Sequence, residues 1–140
     1  MAYDGLFDTN VVIHALRRDH RSDECREFLA LVSTGERRVR LEVFIVHELL
    51  YVMRRVFKQK SRQELADSLI EIIAWPGVDC ERQLLLTALE RWKNTPGLEF
   101  PDALLVARAQ MDSTRVFTIN VKDFLSAGVE IPNPLLDYTP

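Results

Sequence analysis

Short apolar segments alternate with longer stretches of helical spacing along the chain, and the connections between them are brief. That alternation leaves few folds open. Strands joined through helical crossovers run parallel, and a parallel sheet needs helices over both faces. The segments with strand character are Leu6-Phe7, Val39 to Val43, Val78-Asp79-Cys80, Arg115 to Ile119 and Val129 to Ile131, with Arg115 to Ile119 the clearest. Helical spacing is predicted over Asn10 to Arg18, over a segment capped by Ser22 and stopped by Gly35, and from Val46 onward. Ser61 with Glu64 three residues later forms a capping box for a helix from Leu65 to Trp75, which Pro76-Gly77 ends. Further helices follow over Arg82 to Lys93, from Pro101-Asp102 through Ala109, and over Val121 to Ala127 before Gly128. The expectation is an α/β fold with a central, mainly parallel sheet of four to five strands, formed by one domain over residues 1–140.

Composition fits that picture. A chain of 140 residues with 47% hydrophobic and 28% charged residues suits one globular core rather than disorder. No apolar run approaches the ~18–20 residues of a membrane span. Met1 to Asp8 carry neither a basic segment nor a long apolar stretch, which predicts no signal peptide. Cys25 and Cys80 stand far apart, so neither a disulfide framework nor a thiolate zinc site is expected. A reducing, cytoplasmic setting follows as the expectation.

The formal charge of −3 argues against a simple basic nucleic-acid binder. The charge is unevenly spread, however. Between Arg17 and Arg62 lie 12 basic residues against seven acids, in clumps such as Arg37, Arg38 and Arg40, and Arg54, Arg55, Lys58, Lys60 and Arg62. Each clump alone is the solvated face of a helix; together they form a positive rim able to attract a polyanion.

Sites in parallel sheets lie at the carboxyl ends of strands. Asp8 follows the first strand, Asn120 follows Arg115 to Ile119, and Asp123 lies in the first turn of the next helix. Asp102 opens another helix, and Glu48 lies early in the helix after the second strand. Each has a plain local role as a helix cap, first-turn acid or solvated residue. If the four acids converge, they require a cation, because like charges within ~4–6 Å raise one another's pKa. Oxygen-only ligands favour Mg²⁺ or Mn²⁺ over zinc. His14, His20 and His47 show no ligand spacing and are expected to be structural or exposed.

Four runs carry a family likeness: Leu6-Phe7-Asp8-Thr9-Asn10-Val11, His47-Glu48-Leu49-Leu50-Tyr51-Val52, Phe100-Pro101-Asp102-Ala103-Leu104, and Val116 to Phe124. In this order and spacing the chain resembles the PIN-domain ribonucleases, above all the VapC-type toxins of toxin–antitoxin modules. The resemblance implies a three-layer α/β/α fold and an acidic pocket for Mg²⁺ or Mn²⁺ that hydrolyses RNA phosphodiester bonds. On it, Asp8, Glu48, Asp102 and Asp123 are the catalytic acids, with Asp8 and Asp102 as direct metal ligands. Thr9, Thr118 and Asn120 would orient water or phosphate. Many members carry Asp where this chain has Asn120, which removes one negative charge and leaves one metal or two open. A homodimer and a silencing antitoxin are the partners the resemblance implies, with RNA as substrate.

Other readings fit less well. A haloacid-dehalogenase-like phosphatase needs a second Asp two residues after Asp8, where this chain has Asn10. A receiver domain needs a phospho-acceptor after its third strand, and Asp79 lies inside a poor one. The remaining alternative is a non-catalytic PIN module that binds RNA or a protein without cutting.

Overall fold

The computed structural model describes residues 2–132 and 135–137. Two compact units divide it, Met1–Leu86 and Thr87–Pro140. In the first, three strands of two residues each, β1 (Gly5–Leu6), β2 (Val39–Arg40) and β3 (Val78–Asp79), pair in parallel in the order β1-β2-β3. Gly5 lies opposite Val39, and Val39 opposite Val78. Bonds beyond the strand ends extend the ladder: Asp4 N–H to the Arg38 carbonyl and Leu41 N–H to the Asp79 carbonyl, both 2.8 Å, and Phe7 N–H to the Arg40 carbonyl, 2.9 Å. Parallel strands need crossovers. Helices α1 (Thr9–Leu16) and α2 (Ser22–Thr34) join β1 to β2, and α3 (Val43–Val56) and α4 (Arg62–Ile73) join β2 to β3.

Local chemistry accounts for these helices. Asp8 caps α1. Ser22, expected to cap α2, instead lies inside its first turn and is 3% exposed. Its hydroxyl oxygen accepts from Asp19 N–H at 2.9 Å and reaches the carbonyls of His14 and Arg17 at 2.7 and 2.8 Å, so it staples the α1–α2 turn. Gly35 ends α2 with φ +86°, a conformation that costs glycine little. Helix α3 begins at Val43, three residues before the expected start at Val46, and the expected strand from Val39 to Val43 shrinks to Val39–Arg40. The reason is burial at helical spacing: Ile45, Val46, Leu49, Leu50 and Met53 are all buried, which draws the preceding turn into the helix. The expected capping box of α4 is formed, with Glu64 N–H donating to Ser61 Oγ and Ser61 N–H to Glu64 Oε1, both at 3.1 Å.

Helix α5 (Arg82–Asn94) leads on to α6 (Phe100–Met111), α7 (Val121–Ser126) and a 3₁₀ turn at Leu135–Asp137. In the second unit Val106, Ala109, Val116, Phe124, Ala127 and Val129 form one apolar cluster, with Ile131 against it. Here the sequence reading needs correction. Among the described residues neither Arg115 to Ile119 nor Val129 to Ile131 forms a strand. Among the described residues one backbone hydrogen bond joins the two segments, Val116 N–H to the Glu130 carbonyl at 3.1 Å, beside an Arg115–Glu130 ion pair at 3.6 Å. Val116 is buried while Phe117 and Ile119 are exposed, and among the described residues this run builds no ladder. Among the described residues the sheet therefore has three strands, and the expected four to five are not formed.

Candidate active site

The sequence-selected residues fall in both units. In the first, Asp8 follows β1 at the carboxyl edge of the sheet, and its Oδ1 accepts from Thr9 N–H at 2.8 Å. Its local capping role is thus real, and its carboxylate is also exposed to solvent. Thr9 is 2% exposed, and its Oγ1 finds no hydrogen-bond partner among the described residues. A buried hydroxyl left unmatched is costly, on the order of 1–3 kcal/mol, so Thr9 marks the first turn of α1 as a place suited to a further polar group. Glu48 lies exposed in the second turn of α3, next to buried Leu49. Near the same sheet edge, Arg40 at the end of β2 binds Asp79 at the end of β3 at 3.2 Å and Glu42 at 3.8 Å. This ion-paired arginine ties neighbouring strand ends together, a link that sequence spacing alone does not reveal.

In the second unit, Asp102 lies in the first turn of α6, behind Pro101. A helix N-terminus favours an anion. Burial nevertheless pushes the Asp102 carboxyl above its ordinary range, and the charges of Asp123 and Glu99 push it further in the same direction. Asp123 lies in the first turn of α7, and its Oδ2 accepts from the Asn120 side-chain amide at 2.9 Å. Asn120 N–H in turn donates to Thr118 Oγ1 at 2.9 Å. Asp102, Asp123, Asn120 and Thr118 thus belong to one polar region of residues 87–140, with Asn120 oriented by one sequence-selected neighbour and orienting another.

Glu99 was not among the expected site residues. It is the N-cap of α6, three residues before Asp102, and makes no side-chain capping bond. The i, i+3 spacing of two acids was the signal that could have found it.

A divalent cation suits this chemistry. The donors are all oxygen, and a cation would offset the burial and neighbouring charge that disfavour the Asp102 anion. Among the described residues no group of three or more His, Cys, Asp or Glu side chains gathers as a ready cage. Mg²⁺ does not need one: it keeps several waters and takes one or two carboxylates together with substrate phosphates. The Asp102–Asp123 region and the orphaned Thr9 hydroxyl beside Asp8 both fit that requirement.

The comparisons agree in kind. No curated protein matches the chain closely enough to count as a relative. The PIN domain family matches residues 6–126, a span that holds every expected site residue. PIN domains are generally nucleases and typically use divalent metals. With seven-eighths of its length inside the match, from β1 to α7, the chain belongs to the PIN domain family.

Proposed function

We propose that the chain is a single PIN domain acting as a Mg²⁺- or Mn²⁺-dependent endoribonuclease, the toxin of a VapBC-type toxin–antitoxin pair. The observation that carries the reading is the Asp102 carboxyl, raised by burial and by Asp123 and Glu99 within a PIN-family chain. A carboxyl whose charged form is disfavoured by burial and neighbouring acids is one whose charge a bound cation would offset.

In this reading Asp8 and Asp102 would hold the metal directly, and Glu48 and Asp123 would complete the pocket through the metal or its waters. When bound, the metal would supply a water of lowered pKa and offset charge on the scissile phosphate. Asn120 keeps Asp123 oriented through its amide, and Thr118 fixes Asn120. The Thr9 hydroxyl is available to hold a water or a phosphate oxygen. The proposed setting is cytoplasmic, with a homodimer silenced by a cognate antitoxin.

The test is RNA cleavage by the purified protein. Cleavage is expected with Mg²⁺ or Mn²⁺ and is abolished by a chelator. Asp8→Asn and Asp102→Asn are each expected to lower the rate at least hundredfold while circular dichroism stays unchanged. Full activity in either variant, or undiminished activity in chelator, overturns the assignment. No cleavage with either ion selects the non-catalytic PIN module instead.

A further inference from the structure

The first unit holds a cleft whose polar lining is entirely cationic. Arg54 at the end of α3, Lys58 and Lys60 in the following turn and Arg62 at the start of α4 line a cleft of about 340 Å³, with Leu65 as its apolar floor. Lys58 and Lys60 are fully exposed residues, and neither is held in an ion pair among the described residues. The acid in the adjoining turn is Glu64. Its carboxylate is committed to the Ser61 N–H, and it lies close enough to Lys60 for that charge to favour its ionised form. The Lys60 ammonium lies 5.9 Å from the Phe57 ring centroid, and Lys58 and Lys60 are the two cations on which the positive field of the cleft rests. The capping box already uses donors at the N-terminus of α4, so side chains rather than backbone amides would do the binding.

A second groove flanks the same end of α3. Arg17, Tyr51, Val52, Arg55 and Val56 line it. Tyr51 is 56% exposed, and the Arg55 guanidinium lies 5.6 Å from its ring centroid while donating to its hydroxyl at 3.2 Å. An exposed aromatic ring held by an arginine is a stacking platform, and flat π-faced ligands use such platforms.

We propose that the Arg54–Lys58–Lys60–Arg62 cleft is a phosphate-backbone subsite for single-stranded RNA, with Tyr51 stacking a neighbouring base. The pairing of the two concavities favours RNA over an acidic peptide. A carboxylate-rich chain would use the cations but has no need of the Tyr51 ring, whereas a nucleic-acid strand presents phosphate and base together. Arg54 stands six residues beyond Glu48 on the same helix, about 9 Å of rise, so the cleft and one of the proposed catalytic acids share one rigid element. The choice of RNA rests on the nuclease reading; the cleft itself does not.

The test is binding, measured in chelator so that no strand is cut. Fluorescence anisotropy of a short labelled single-stranded RNA over a salt series gives both affinity and salt slope. Lys58→Ala/Lys60→Ala is expected to weaken binding about tenfold at low salt. It should also flatten the slope of log K against log salt by about 1.4, since each lost contact to a single strand is worth ~0.7. Lys58→Arg/Lys60→Arg is expected to restore both. Tyr51→Ala is expected to weaken binding about tenfold with an unchanged slope, and Tyr51→Phe to bind like the wild type. An unchanged affinity and slope in the double alanine variant overturns the proposal, as does equal competition by polyglutamate. RNA binding with this pattern from a protein that cuts nothing in Mg²⁺ or Mn²⁺ upholds the cleft and refutes the nuclease reading.

Discussion

Asp8 serves two purposes with one side chain. Its carboxylate caps α1 through Thr9 N–H, and in the proposed reaction it also holds the cation. Asn caps a helix as well as Asp does, whereas Ala at a cap costs about 1 kcal/mol. The stability of Asp8→Asn therefore isolates chemistry from folding. Asp102 poses the opposite problem. Burial, then Asp123 and Glu99, hold its carboxyl above the usual range, so the folded state prefers it protonated. That preference stabilises the fold at pH below the ordinary carboxylate range and is lost as pH rises through the raised value. Asp102→Asn is accordingly expected to melt at a higher temperature than wild type at neutral pH. Added Mg²⁺ or Mn²⁺ should raise the melting temperature of the wild type and leave that of the variant in place. A lower melting temperature for Asp102→Asn would mean that its charge stabilises the fold. The local roles of these acids were legible, because caps and first turns depend on a few consecutive residues. The influence of Asp123 on Asp102 was not, since it arises from how α6 and α7 present their first turns to one another.

Helices were easier to read than strands. The Ser61–Glu64 box, the stop at Gly35 and the start at Pro101 all express short-range chemistry, and all are formed. Arg115 to Ile119 misled because apolar content makes a strand only when a partner supplies a ladder, and among the described residues Glu130 supplies a single backbone hydrogen bond. Gly77 shows a constraint of a different kind. It read as a helix stop after Pro76, yet its main structural demand is space. A Cβ at this position would meet the carbonyl oxygens of Val32 and Arg37, both backbone atoms with little freedom to move. The same residue donates to the Val32 carbonyl at 3.0 Å and accepts from Val39 N–H at 2.8 Å, which joins the end of α2 to the entry of β3. Gly77→Ala is therefore expected to cost about 3 kcal/mol in urea denaturation, near the upper end for overpacking. A loss below ~0.5 kcal/mol would show that the α2–β2 connection yields.

Across the whole chain, the net charge of −3 says little about where the charges lie. Averages conceal placement: cations line the cleft at the end of α3, while acids gather at the first turns of α6 and α7. The parallel α/β plan was legible from alternation, but the depth of the sheet was not. Each strand contributes only two residues, so helices supply most of the buried surface and the sheet chiefly sets direction. That shallowness bears on how the molecule breathes. Protection of backbone amides against hydrogen exchange grows with the cost of the opening that frees them. Leu49 and Leu50 in α3 and Leu69 in α4 are buried within long helices, whereas Leu6 in β1 is 71% exposed. Amides of β1 are expected to exchange ahead of those of α3 and α4, through openings that leave the helices folded; equal protection in β1 and α3 would refute this. Asp8 is tethered to that same short strand. A carboxylate carried on the segment that opens first can be released and recaptured without global unfolding, so ligand binding at Asp8 would register as slowed exchange in β1.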